Sequence, residues 1–331
     1  MKVFLVGEAA EHGDDLRPHL SAPHKIIGLP WAASYSDVFD RDIAAEDVVV
    51  SLRFSRAGGT APPFRLLQVP GAGLDQVDLA ALTPDTLVAN VFEHEAPIAE
   101  FVLGRLLEWE IRAAALQESF SPQAWPSLYR KRVPHGEIRG KSLALIGYGR
   151  IGRAIAARAS AFGVEVTAVD DNAESDASAQ VVPTDGLARL QQRADYVVVA
   201  CPLTPATEGL VDAAALARMP SHAVLVNVSR APIVDQRALY EALRDNEIGG
   251  AILDVWYRYP GVGEQDVAPA DAPLWELPNA WCTPHSSAWT RQLPHRRYAV
   301  IADNINRLVT GEPLRNLVRP VGGDSSRRSQ S

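Results

Sequence analysis

Ser142-Leu143-Ala144-Leu145-Ile146-Gly147-Tyr148-Gly149-Arg150-Ile151-Gly152 is the stretch whose reading decides the fold. An apolar run leads into a glycine-rich turn, and the turn opens a helix-like stretch. Gly147, Gly149 and Gly152 stand at the spacing G-x-G-x-x-G. The first glycine permits a tight turn, the second lets the backbone approach a pyrophosphate, and the third lets helix and strand pack closely. A helix beginning at Arg150 and Ile151 offers unpaired N–H groups and its positive dipole end to phosphates. The bare pattern is weak, so its context matters. The next apolar run, 164–169, ends in Asp170, close to the offset of ~20 residues at which an acid bonds the ribose hydroxyls. Together these features predict a dinucleotide site.

Composition bounds the rest. A chain of 331 residues predicts two domains, and a hydrophobic fraction of 47% is enough for two cores. The formal net charge of -8 gives no reason to expect a nucleic-acid partner. No apolar run approaches the ~18 residues of a membrane span, so no membrane partner is expected. The opening residues Met1-Lys2-Val3-Phe4-Leu5-Val6-Gly7 reach Glu8 and Glu11 too soon for a signal peptide and read as a first strand. Cys201 and Cys282 are the two cysteines. They make neither a disulfide framework nor a metal cluster, so no metal is expected and a reducing cytoplasm is the default location.

Further apolar runs fall at 3–6, 48–52, 66–69, 87–91, 196–200, 223–227, 251–253 and 280–283. Short runs separated by helical stretches predict parallel sheets built from βαβ units. Residues 99–114 read as a helix that is apolar almost all round, which predicts burial between domains or at a subunit interface. A second long helix is expected over 292–308, ending at Gly311. Four strands precede the glycine turn, so they require a domain of their own. The expected division is 1–92 with 288–318, then 93–287 around the glycine turn, with 319–331 as a disordered tail. The fold class is therefore α/β, with two Rossmann-like domains and a cleft between them.

The ends of the later strands carry the candidate chemistry. The run 196–200 ends in Cys201-Pro202-Leu203-Thr204, at the carboxyl edge where open sheets bind ligands. Asn227-Val228-Ser229-Arg230 follows the next strand. Arg230 suits bidentate binding of a carboxylate, although a surface arginine on a loop explains the sequence as simply. Asp254 closes another strand, and Thr283-Pro284-His285 the last. Histidine transfers protons near neutral pH; a lone histidine is more often structural. Two such residues at strand ends beyond a dinucleotide turn favour chemistry.

These stretches, taken in order, resemble the D-2-hydroxyacid dehydrogenase family, which includes formate, glycerate, glyoxylate and phosphite dehydrogenases. Gly71-Ala72-Gly73-Leu74-Asp75-Gln76-Val77-Asp78 resembles its substrate-loop segment, and Ala99-Glu100 its helix start. The similarity runs from about residue 66 to 317. It implies a flavodoxin-like substrate domain and a doubly wound NAD-binding domain. It also implies NAD as cofactor, a small anionic substrate and a homodimer formed through the nucleotide domain. By the same resemblance, Arg230 clamps the substrate carboxylate, and His285 takes or gives the hydroxyl proton. Backbone N–H groups of Ala72, Gly73 and Leu74 hold the carboxylate, and Asp254 has a structural or cofactor-orienting role.

One position departs from the family. Glutamate usually stands five residues after that aspartate, before a proline. This chain reads Asp254-Val255-Trp256-Tyr257-Arg258-Tyr259-Pro260, with Tyr259 in its place. A carboxylate there favours the imidazolium; a phenol accepts the ring N–H bond but adds little charge stabilisation. Glu264, Asp266 or Asp271, in the loop that follows, are the acids available as substitutes. Asp170-Asp171-Asn172 carries no adjacent lysine or arginine, which predicts NAD over NADP. His94 and Trp289 are candidate substrate-reading residues, with surface solvation and simple packing as the alternatives. The expected activity is hydride transfer between NAD and a small 2-hydroxy or 2-oxo acid. A phosphonate or phosphite-type anion suits the same arginine, and an NAD-sensing binding protein without turnover is the alternative of another class.

Overall fold

Strands that are apolar at every position must be covered on both faces, and helices supply that cover. A computed structural model describes residues 1–38, 40–261 and 263–319. In chain order its strands are β1 (Lys2–Val6), β2 (Lys25–Leu29), β3 (Val48–Val50), β4 (Leu66–Gln68), β5 (Leu87–Ala89), β6 (Ser142–Ile146) and β7 (Glu165–Val169). β8 (Gln180–Val182), β9 (Tyr196–Val199), β10 (Val224–Asn227), β11 (Gly250–Leu253), β12 (Ala280–Cys282) and β13 (Leu317–Arg319) follow. They fall into two compact units, residues 1–93 with 290–319, and residues 94–289.

The first unit holds a sheet ordered β13-β5-β4-β3-β1-β2. β1 to β5 are parallel, in the 2-1-3-4-5 order of flavodoxin-like folds. β13 adds to β5 in the antiparallel sense. Apolar side chains pack on both faces of the sheet. The helix Leu293–Thr310 covers one of them, setting Tyr298, Ile301, Ala302 and Ile305 against Val3, Leu5, Val48 and Val50. Gly311 ends that helix in the left-handed region, at φ 74°, where a Cβ is unfavourable.

In the second unit the order is β12-β11-β10-β9-β6-β7-β8, parallel throughout. β6 and β9 are neighbours at the point where the strand order reverses, the switch point at which open α/β sheets bind ligands. The helices Glu95–Ile111 and Arg150–Ala161 bury Val102, Leu106, Ile155 and Ala156 with Leu143, Leu145, Val198 and Val226. Burying one such side chain contributes about 1.5–3 kcal/mol.

Several sequence expectations are corrected. Five strands precede the glycine turn, not four, because β2 was missed. Its Lys25-Ile26-Ile27-Gly28-Leu29 is an edge strand, only partly buried and interrupted by Gly28. β8 and β13 were also missed; each has three residues at a sheet edge, too few for a period to register. Arg319, assigned to the tail, instead ends β13 and donates to the carbonyls of Leu79, Thr83 and Thr86. The remainder of the expected tail, 320–331, lies outside the described residues. The helix expected over 99–114 begins earlier, at Glu95, and ends at Ile111. It buries one face in the core of its own unit and leaves Gly104 exposed, so its burial is not all round.

Candidate active site

The glycine turn has the geometry its spacing requires. Gly147 sits at φ 97°, and a Cβ there would come within 2.7 Å of the Cys201 backbone. A Cβ at Gly152 would lie 2.3 Å from the Gly147 carbonyl oxygen, so helix and strand meet only because it is glycine. Gly149 differs: a Cβ there would meet nothing within 4 Å. Packing within the chain does not require glycine at that position, and the space beside it is what a pyrophosphate lying on the turn needs. No side chain caps the N-terminus of the helix Arg150–Ala161, whose first N–H groups form the anion-binding end. These residues fit a dinucleotide.

Around the turn, Asp170 follows β7 and spans two backbone groups. Its Oδ2 accepts the Tyr148 N–H at 2.8 Å, and its Oδ1 accepts the Asn172 N–H at 2.9 Å. The carboxylate is thus fixed beside the second position of the turn. Tyr148 also donates its hydroxyl to Asp176 at 2.8 Å, and Arg153 lies over its ring while pairing with Asp176. Arg150 is 3.9 Å from Glu95, and Ile151 packs against the core. Cys201 is buried, and burial pushes its thiol up to about 11. Its carbonyl, not its sulfur, enters the polar network, accepting the Ser229 hydroxyl at 2.5 Å. Pro202 continues that turn, its carbonyl accepting from Thr207 Oγ1 at 2.7 Å.

Arg230 follows β10 on a turn built by Asn227. The buried Asn227 side chain donates to the Arg230 carbonyl at 3.0 Å and accepts the Ser229 N–H at 3.1 Å. The guanidinium donates to the Ser229 carbonyl at 2.9 Å. Asp254, after β11, is fully buried. Its Oδ1 accepts from the Thr283 hydroxyl at 2.6 Å and the Ser286 N–H at 2.8 Å, and its Oδ2 accepts the Ser287 N–H at 2.9 Å. These donors lie on both sides of His285, so one carboxylate pins the whole turn after β12. His285 itself is held at φ 56°, a left-handed conformation costly for a residue with a Cβ.

Tyr259 supplies the contact to the imidazole. Its Oη lies 2.8 Å from His285 Nδ1, with the ring centroids 5.5 Å apart. The same oxygen accepts the Trp256 backbone N–H at 3.1 Å, and the Trp256 indole N–H donates to the Thr283 carbonyl at 2.9 Å. Trp256 thus braces both the phenol and the histidine turn. Of the acids weighed as substitutes, Asp271 pairs with Arg258 and Glu264 accepts the Gly261 N–H.

The second unit therefore gathers the glycine turn with Asp170 and Cys201, and Asp254 with Tyr259 and His285. Arg230, Asp254 and His285 all follow the carboxyl ends of the adjacent strands β10, β11 and β12. His94, also in this unit, is buried as the residue preceding the helix Glu95–Ile111. Trp289 is 53% exposed. Ala72, Gly73 and Leu74 belong to the first unit, in the turn after β4; carbonyls of that turn accept from Val91, Asn90 and Val77. Sequence reasoning did not find Asn227, Trp256, Ser286 or Ser287. The first was visible as an amide three residues before the arginine. Ser286 and Ser287 act through backbone N–H groups, which carry no residue signature, and Trp256 through both its backbone and its indole N–H.

Comparison with known proteins identifies the family. Residues 103–287, more than half of the chain, match the model of the "D-isomer specific 2-hydroxyacid dehydrogenase, NAD binding domain". A D-3-phosphoglycerate dehydrogenase of Methanocaldococcus jannaschii is 33% identical over 267 residues, covering 78% of this chain; the chain spans about half (48%) of that relative's length. A glycerate dehydrogenase of Methylorubrum extorquens is 32% identical over 262 residues, 76% of this chain and 78% of the relative. The crystal structure of a family protein from Aeromonas salmonicida superposes with a TM-score of 0.74 at 25% identity, covering 96% of this chain and 98% of that one. The chain belongs to the D-isomer specific 2-hydroxyacid dehydrogenase family.

Proposed function

We propose that the protein is an NAD-dependent oxidoreductase that moves a hydride between the nicotinamide and a small 2-hydroxy or 2-oxo acid. The observation that carries this reading is the Asp254-pinned turn, which holds His285 with Nδ1 engaged by Tyr259; we assign Nε2 as the working nitrogen. Gly147, Gly149, Arg150, Ile151 and Gly152 hold the pyrophosphate, and Asp170 takes the ribose hydroxyls. Bound NAD supplies the hydride acceptor. Arg230 binds the substrate carboxylate and polarises the C2 oxygen. His285 takes the hydroxyl proton in oxidation and returns it in reduction. His94 and Trp289 contribute to substrate choice. NAD is preferred over NADP, because a carboxylate at Asp170 repels a 2′-phosphate.

We assign the working form as a homodimer. The helices Ala113–Ser119 and Trp125–Arg130 bury none of their residues, and Leu116, Phe120, Trp125, Tyr129 and Val133 are exposed. Apolar surface on that scale fits an interface. A monomer by sedimentation at micromolar concentration contradicts this assignment. Cys201 and Cys282 as free thiols agree with a reducing cytoplasm.

The test is a panel of 2-hydroxy acids with NAD, and of 2-oxo acids with NADH, alongside formate, phosphite and phosphonates. The expected result is NADH formed from a 2-hydroxy acid. Turnover of phosphite or a phosphonate alone moves the substrate class. A second reading, NAD binding without turnover, draws on Tyr259 standing where a carboxylate assists the histidine. Tight NAD binding with no turnover in any arm selects it.

A further inference from the structure

A carboxylate on Nδ1 of a catalytic imidazole offers only lone pairs. It fixes the proton on Nδ1 and makes Nε2 the base. The phenol at Tyr259 has a lone pair and a proton to offer. Its oxygen accepts the Trp256 N–H at 3.1 Å, which occupies one acceptor direction. What it presents to Nδ1, 2.8 Å away, is either its remaining lone pair or its hydrogen. With the lone pair presented, the ring carries Nδ1–H and Nε2 is bare. With the hydrogen presented, the ring carries Nε2–H. Both arrangements keep the hydrogen bond between Tyr259 Oη and His285 Nδ1 with the heavy atoms unmoved. Tyr259 is 39% exposed, so solvent lies beside it.

The geometry points to Tyr259 as a proton relay between His285 and water, not a neutral stand-in for the missing carboxylate. The inference rests on the hydride-transfer reading above and adds to it the path of the proton. In oxidation the substrate O–H bond breaks and its proton goes to Nε2. The Nδ1 proton passes to Tyr259 Oη, and the phenol proton passes to water. The hydride leaves C2 for the cofactor, and the C2 oxygen becomes the carbonyl. The imidazole gains one proton and loses one, so no imidazolium needs the carboxylate whose place Tyr259 takes. Reduction runs the same transfers backwards.

Two experiments test the relay. The first needs no turnover: 15N NMR of the ring nitrogens of His285 in the cofactor-free protein. The relay expects both neutral tautomers in the wild type, with both nitrogens shifted between their two limits, and a single Nδ1–H tautomer in Tyr259→Glu. A wild type already fixed as Nδ1–H, like the glutamate variant, overturns it. The second is a proton inventory on the NADH burst, using NAD with D-glycerate, D-lactate or glycolate, in mixtures of light and heavy water. Several protons in flight, up to the three of the relay, give a bowed plot for the wild type. Tyr259→Phe and Tyr259→Glu, with one proton in flight, give straight lines. A straight line for the wild type also overturns the relay. If no acid is oxidised, the hydride-transfer reading fails, and the NMR result still decides how Tyr259 meets the ring.

Discussion

Asp254→Asn separates the geometry around His285 from the cofactor site. The carboxylate now receives three donors: Oδ1 takes Thr283 Oγ1 and the Ser286 N–H, and Oδ2 takes the Ser287 N–H. An amide has one acceptor oxygen. In its better orientation it keeps the two donors at Oδ1 and turns its NH2 toward the Ser287 N–H. Losing a bond to a charged acceptor costs about 1.5–3 kcal/mol, and leaving a buried N–H without an acceptor costs about 1–3 kcal/mol. Ser287 is 6% exposed, so water relieves little of this. The two costs overlap, and about 3 kcal/mol is a fair total. Because every 1.4 kcal/mol is tenfold, local opening of the 283–289 turn becomes about 100-fold more frequent. The assay is amide hydrogen exchange, following the peptide that contains Ser286 and Ser287 against peptides of the glycine turn. Exchange about 100-fold faster in the first peptide, with the second unchanged, is expected. kcat should fall by a similar factor, since a 1 Å misplacement of a catalytic group costs about 10²-fold. Unchanged exchange in the 283–289 peptide refutes the pinning argument, whatever happens to activity.

Other expectations follow from the same contacts. Tyr259→Glu places a carboxylate beside an exposed imidazole; an opposite charge about 4–6 Å away shifts a titration by roughly 1–3 units, and solvent screening trims this to about one. The acidic limb of the pH–rate profile for oxidation should move up by that amount, and a stationary limb contradicts the role given to Tyr259. Asp170→Ala removes both the ribose acceptor and the repulsion of a 2′-phosphate, so the ratio of kcat/KM for NAD to that for NADP should drop at least tenfold, about 1.4 kcal/mol; an unaltered ratio means another residue reads the cofactor. Cys201 and Cys282 are held as thiols by burial, each pushed up to about 11. At pH 8 about one in a thousand is thiolate, so thiol reagents should label the native protein slowly. Rapid labelling would show that the two sites open.

The glycine turn was legible because it is a backbone requirement written in residue type. Gly147 and Gly152 are forced by the approach of Cys201 and of their own turn, and nothing larger fits. Tyr259 was legible by counting from Asp254. What it does was not, because the Trp256 N–H that holds its oxygen belongs to the backbone. The same holds for Asp254: its role as a clamp depends on Ser286 and Ser287 arriving N–H first, which the sequence does not encode locally. β2 escaped detection because it is only partly buried and interrupted by Gly28, and β8 because it has three partly exposed residues at a sheet edge. The helix Glu95–Ile111 was found from its apolar spacing, but that spacing alone did not show which unit its buried face packs into.

The central claim, hydride transfer assisted by His285, is tested most directly by mixing the protein with NAD and the panel of 2-hydroxy acids and following NADH, with His285→Ala alongside. The account predicts NADH from at least one acid with the wild type, and a rate lower by about 10²–10⁴-fold with His285→Ala, whose NAD affinity is unchanged. NAD binding with no NADH from any acid, or a His285→Ala variant as fast as the wild type, contradicts it.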